Sequence, residues 1–215
     1  MSQKYEIIDG VYVGPEVWEG KLGIIGTDLK SLGKLKVVTG SMYAYGVSTL
    51  CDLGCLEEVG GSLYIRGTSV RSLGCLKKVG SDLNALGVNT LYDLGCLEEV
   101  GRYLYITGTS VRSLNNLKKV GGGLDAEGVS TLCDFGCLEE VDGYLDIRGT
   151  RVNSLGSLTK VGTFYKLDGS GGSVPYEDFL KELELLRSIP ASELSMYLYD
   201  PRYTHPLHHE ALGRS

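Results

Sequence analysis

Two rhythms of apolar residues alternate along this chain. Leu63 and Ile65 flank an outward position, the period of two that marks a strand with one buried face. Val70, Leu73, Leu76 and Val79 then follow at every third residue, before Leu83 and Ala85 start the strand rhythm again and Leu91, Leu94, Leu97 and Val100 the slower one. The strand pair recurs as Leu22/Ile24, Met42/Ala44, Leu104/Ile106, Leu124/Ala126 and Leu145/Ile147. The three-residue spacing is too short for a full helix and predicts tight turns or short 3₁₀ segments opposite the strands. Polar positions keep the same time. Gly46-Val47-Ser48-Thr49-Leu50 returns as Gly87-Val88-Asn89-Thr90-Leu91 and as Gly128-Val129-Ser130-Thr131-Leu132, giving a period of 41 residues split into 20 and 21. Fixed self-similarity at this spacing predicts a solenoid, in which each coil buries its apolar side against its neighbours.

The units share the template L-x-I-x-G-T-x-V-x-S-L-G-C-L-x-x-V-G-x-x. This resembles a leucine-rich repeat in the short, 20-residue form of bacteria and bacteriophages, with a weaker likeness to the L domains of growth-factor receptors, over about residues 21 to 168. The resemblance implies a β-rich solenoid of about eight coils with one parallel sheet, and a role as a binding surface. The chain departs from that pattern in carrying Thr27, Thr68, Thr109 and Thr150 where an Asn ladder would stand, and in its two-unit alternation.

The ends of a solenoid need covers. Residues 1–20 read as an N-terminal cap: a hairpin turning at Asp9-Gly10, followed by Trp18 plugging the first coil. After the solenoid, 21–168, come a Gly-rich linker, 169–174, and a C-terminal α-helical cap and tail, 175–215, whose Phe179, Leu180, Leu183 and Leu186 share one helical face. Tyr165 and Leu167 are expected to form the eighth strand, with Phe164 just before it.

Several columns read as structural. Gly33, Gly54, Gly74, Gly95, Gly136 and Gly156 share a position with Asn115, which predicts a turn with positive φ. Ser31, Asp52, Ser72, Asp93, Ser113, Asp134 and Ser154 beside it suit capping of the turn amides. Glu57-Glu58, Lys77-Lys78, Glu98-Glu99, Lys118-Lys119 and Glu139-Glu140 alternate in sign, so coils stacked about 5 Å apart place each acidic pair between basic ones.

Composition adds limits. A content of 42% hydrophobic and 22% charged residues is ordinary for a soluble domain, and a net charge of −6 with alternating signs indicates no general nucleic-acid or membrane affinity. Without a basic and apolar leader or a spanning segment, the expected location is cytoplasmic, of the cell or of an infected host. Cys55, Cys75, Cys96 and Cys137 share a column, with Cys51 and Cys133 in another. Stacked side chains point in parallel, a poor disulfide geometry, and zinc held by Cys51, Cys55 and Cys75 would lack a fourth ligand and a C-x-x-C spacing. Packed, reduced thiols are expected. His205, His208 and His209 could share a metal only on a helix, and Pro206 favours a short docking helix starting after His205. The Gly-rich turn before the last helix lacks the Lys-Ser/Thr of a P-loop.

No nucleophile with a base, no unique carboxylate pair and no cofactor fingerprint is present, so the chain reads as a non-enzyme without cofactor. The informative positions are those the repeat leaves free. On the strand face these are Tyr43, Tyr45, Tyr64, Arg66, Leu86, Tyr103, Tyr105, Asp125, Glu127, Tyr144, Asp146 and Arg148, aromatic towards the N-terminal half and mainly acidic beyond it. Tyrosine gives rigid, amphipathic contact area, so this face is the expected site for a protein partner. Alternatives are an architectural role in a particle or larger assembly, attached through the end cap and tail, and sequestration of a small ligand or nucleotide between the tyrosines.

Overall fold

A computed structural model of the 215-residue chain describes residues 3–152, 156–165 and 173–174. It is a β-solenoid of about seven turns, each with a front strand, a bridge side and a back strand. The front strands Leu22–Gly23, Met42–Tyr43, Leu63–Tyr64, Leu83–Asn84, Leu104–Tyr105 and Leu124–Asp125 stack in parallel and in register. So do the back strands Val17–Trp18, Val37–Val38, Glu58–Val59, Lys78–Val79, Glu99–Val100 and Lys119–Val120. Both ladders run into one longer strand, Glu140–Asp146, so the expected parallel sheet is present as two ladders joined at one end. Opposite the front strands the chain makes the tight turns that the spacing suggested, with the amides of Leu35, Leu56, Leu76 and Leu97 donating to the carbonyls of Leu32, Leu53, Leu73 and Leu94, and each turn then runs into a short back strand that the spacing did not show. Each of these back strands is two residues long and, from Val37–Val38 on, buries one of them, too short a run for alternation to show in sequence, yet pairing with the next coil still satisfies its amides. Among the described residues there is no helix, and none long and apolar enough to cross a membrane.

Inside the coil Leu63, Ile65, Val70, Leu73, Leu76 and Val79 are all fully buried, and the equivalent positions of the other coils join them in one continuous core. The Thr column closes the corner after the front strand. Thr27, Thr68, Thr109 and Thr150 donate their hydroxyls to the carbonyls of Ile24, Ile65, Ile106 and Ile147 at 2.7–2.8 Å, a bond within one coil and not a ladder between coils.

The 41-residue period has a structural cause. At that front corner the amides of Gly46, Gly87 and Gly128 donate to the carbonyls of Arg66, Thr107 and Arg148 in the following coil. On the bridge side the pairing is the opposite one: Ser31 bridges Asp52, Ser72 bridges Asp93 and Ser113 bridges Asp134, with no bridge from Asp52 to Ser72 or from Asp93 to Ser113. Each coil is thus tied to one neighbour at the front corner and to the other on the bridge side, like courses of brick. The extra residue of the longer coils works in this bond. It brings Thr49, Thr90 and Thr131 to donate to the carbonyls of Leu29, Val70 and Val111 in the coil before. Ser69 and Ser110 of the shorter coils reach back to the carbonyls of Ser48 and Asn89.

At the N-terminus Glu6–Ile8 and Val11–Val13 form the antiparallel hairpin, with Asp9 and Gly10 both at positive φ, 54° and 81°. Tyr12 is buried as the first layer of core. Trp18 packs against the core, meets Tyr5 edge-on at 5.8 Å and donates its indole N–H to the Lys21 carbonyl at 3.0 Å, so it does plug the first coil. At the other end the register differs from the sequence reading. A bulge between Val141 and Tyr144 shifts the strand Lys160–Tyr165 so that Phe164 stands opposite Leu145 and Tyr165 opposite Asp146. Residues 173–174, expected in the linker, form Ser173–Val174, antiparallel to that strand. Ser154, Leu167, the rest of the linker, the C-terminal helix and the His205/His208/His209 tail lie outside the described residues.

Candidate functional site

The structural columns separate from the site by what their side chains bond. Gly33, Gly54, Gly74, Gly95, Gly136 and Gly156 take φ of 53–58° and Asn115 takes 51°, the left-handed turn the column predicts. Beside them Asp52 and Asp93 accept the amides of Gly54 and Gly95 at 2.8 and 2.9 Å, while Ser72 and Ser113 accept those of Gly74 and Asn115. The second oxygen of each Asp accepts the Ser hydroxyl of the tied coil, Ser31 to Asp52 at 2.6 Å and Ser72 to Asp93 at 2.7 Å. These groups are engaged by the turn amides and by one another.

The back ladder holds the alternating charges. Lys77 reaches to Glu57 of the coil before at 2.8 Å and Lys78 to Glu99 of the coil after at 2.9 Å. Lys118 and Lys119 repeat this with Glu98 and Glu140. Every basic pair therefore clips both neighbours, as the sign alternation implies. The hydrogen bonds, and after them the Coulomb attraction, hold Glu57 and Glu98 below the ordinary carboxylate range and Lys77 and Lys118 above the ordinary ammonium range.

All six cysteines are exposed, which corrects the expectation of packed thiols. Cys55, Cys75, Cys96 and Cys137 directly follow the positive-φ residue, where the chain turns and the side chain is thrown outward; the buried apolar position is the next one, Leu56, Leu76, Leu97 and Leu138.

The front face carries the residues singled out for binding, and the structure sorts them into three groups. Tyr43 and Tyr64 are opposite each other in the ladder and stack with ring centres 5.3 Å apart and planes 7° from parallel. Tyr45, 48% exposed, stands beside them at the corner. Tyr45, Tyr64, Arg66 and Asn84 line a shallow hollow of about 400 Å³ floored by Gly46 and Gly67. Asn84 then interrupts the row, accepting the amide of Leu86 with its side-chain oxygen, and leaves Leu86 half-buried.

The second group is Tyr103, Tyr105 and Tyr144. Tyr103 lies 5.9 Å from Tyr105 and 6.1 Å from Tyr144, with the Arg102 guanidinium 5.3 Å from its ring centre. Burial, and after it the nearby Tyr105 hydroxyl and Asp125 carboxylate, push the Tyr144 phenol above its usual range. Its ring occupies the space over Gly123, where a Cβ would collide with it. Gly123, Arg102 and the Gly46–Gly67 floor escaped the sequence reading, although the order Tyr103, Gly123, Tyr144 in one column was a readable signal of large, small, large.

The third group, at the C-terminal half, is charged but internally paired. Arg148 donates to Asp146 through Nε and Nη2 and also meets Glu127 at 3.0 Å. Asp125 accepts the Thr107 hydroxyl at 2.7 Å. Asp146 is 7% exposed, so its carboxylate is spent on Arg148 and is not offered to solvent. The contact area of the face is thus half-exposed tyrosine with the exposed Arg66, Arg102 and Glu127 beside it.

No protein-family model, no curated protein and no solved structure matches this chain, so the likeness to short leucine-rich repeats rests on its own sequence pattern.

Proposed function

We propose that this chain is a protein-binding module of short leucine-rich-repeat type that grips its partner on the front face, anchored by the two tyrosine clusters. The observation that carries the reading is the stacked pair Tyr43/Tyr64 with Tyr45, and the cluster Tyr103/Tyr105/Tyr144, standing on a rigid ladder outside the core. Tyrosines so held lose little entropy on binding and present both ring area and a hydroxyl, the character of interface anchors. The core does not require them, because the alternate residues Leu63, Ile65, Leu104 and Ile106 build it.

The test is capture of the partner from a lysate of the source organism by the native chain, by a Tyr64→Ala/Tyr105→Ala variant and by a back-face control, Lys77→Ser/Lys118→Ser. The tyrosine variant is expected to lose about 2 kcal/mol or more of binding and only about 1–2 kcal/mol of stability through lost ring contacts. The control keeps its binding. Loss of binding in the control with none in the tyrosine variant would move the interface to the charge ladder.

A further inference from the structure

We propose that Cys75 and Cys96 form a two-thiolate site for a soft, linearly coordinated monovalent cation of the copper(I) class. The site lies at the corner between the bridge side and the back ladder, away from the tyrosine face, and is independent of the function proposed above.

The brick-like tying of coils singles out this pair. At that corner the amides of Cys55, Cys96 and Cys137 donate to the carbonyls of Gly33, Gly74 and Asn115 at 2.8–3.0 Å, so these turns stack two by two. In the first tied pair Cys55 stands over Lys34, and in the third Cys137 stands over Asn116. Only in the middle pair do two thiols coincide, Cys75 and Cys96, on coils also joined by the Ser72–Asp93 bridge. Cys55 and Cys75 are neighbours in the column but face each other across the untied step, where a Cβ on Gly74 would meet nothing within 4 Å.

Equivalent side chains on tied coils point the same way, separated by one rise of about 4.8 Å. A disulfide needs Cβ atoms about 3.5–4.5 Å apart and converging, which parallel side chains at this rise do not supply. Two metal–thiolate bonds of the length zinc makes, about 2.3 Å each, would span about 4.6 Å end to end, close to that rise, so an ion seated between the sulfurs would be coordinated linearly. Soft thiolate donors favour copper(I), whereas zinc wants four ligands, and no group of three or more metal-binding side chains exists among the described residues. Binding releases both thiol protons and gives a complex of net charge about −1.

The full chain, reduced and kept free of oxygen, is titrated with copper(I) against a coloured copper(I) chelator and weighed by native mass spectrometry. One copper per chain is expected, lost in Cys75→Ser and in Cys96→Ser, kept in Cys55→Ser and Cys137→Ser, and not replaced by zinc(II). Melting temperatures verify that each variant is folded, and Cys96→Asn, which copies native Asn116 of the same column, is a second probe should Cys96→Ser unfold. Failure of the native chain to hold copper, retention of copper by the Cys75 and Cys96 variants, or its loss in Cys55→Ser would each overturn the site.

Discussion

Gly74 and Gly95 share a φ of 58° and differ in what lies against them. A Cβ on Gly74 meets open space, whereas one on Gly95 runs into the Gly74 carbonyl of the tied coil. Gly74→Ala should therefore cost about 1–2 kcal/mol, the left-handed backbone penalty alone, and Gly74→Asn less, since Asn115 adopts the same turn at 51°. Gly95→Ala should cost about 1–3 kcal/mol more through the overlap. Urea unfolding of the three variants decides it, and equal losses for Gly74→Ala and Gly95→Ala would refute the alternate tying. The turn itself was readable from sequence because Asn115 is the one substitute in an otherwise Gly column. The difference between Gly74 and Gly95 was not, because it comes from the next coil and not from the residue's own conformation. The same holds for Gly80, whose Cβ would strike the Gly60 carbonyl. The cysteines were misjudged for a related reason: a thiol flanked by Gly and Leu reads as apolar, and only the direction of the turn shows that it faces water.

The charge ladder was legible as an element because sign alternation needs no geometry beyond stacking, while the strands beneath it were not, since two residues cannot display a period of two. Its contribution to stability follows from the direction of its shifts. Glu57 and Glu98 are held below their ordinary value of 4.5 in the fold, so their contribution is in place above that value and is lost as pH falls through the lower folded one. Lys77 and Lys118 are held above 10.5, so theirs is present below that value and is lost as pH rises through the higher folded one. Between these limits the ladder acts at full strength. The melting-temperature difference between the native chain and Lys77→Gln/Lys118→Gln should accordingly be flat from about pH 6 to pH 9, shrink below about pH 4, and shrink in about 1 M salt, where the screening length falls to about 3 Å. A difference that survives both acid and salt would mean that the lysine stems and not their charges support the fold. The tyrosine face was legible for the opposite reason: its columns break the repeat, and a residue that the repeat does not dictate is visible against those it does. What remained hidden there, the pairing of Arg148 with Asp146 two residues before it and with Glu127 of the preceding coil, depends on which way the side chains turn and how far they reach.

At the scale of the whole molecule the unit of construction is two coils, and this has a consequence that a one-coil solenoid would not share. Removal of residues 61–101, one 41-residue period, joins Gly60 to Arg102 and leaves Glu57-Glu58 facing Lys118-Lys119, Asp52 followed by Ser113, and a longer coil followed by a shorter one. Every tie and every charge contact at the junction has its native equivalent. Removal of residues 61–80, one coil, joins Gly60 to Ser81 with the core columns equally continuous, but sets Glu57-Glu58 against Glu98-Glu99 and Asp52 beside Asp93, and stacks two longer coils. Repeat stability is a sum of nearest-neighbour terms, so the first deletion should melt cooperatively at a modestly lower temperature despite losing more core. The second should melt lower still, or broadly, although it removes fewer residues. Calorimetry of the two chains at about neutral pH makes the comparison, and repetition in about 1 M salt separates charge from backbone: screening should recover part of the single-coil deletion's deficit and leave the part due to mismatched ties. If the shorter deletion proves the more stable, the coils are interchangeable and the alternation of ties does not govern the fold.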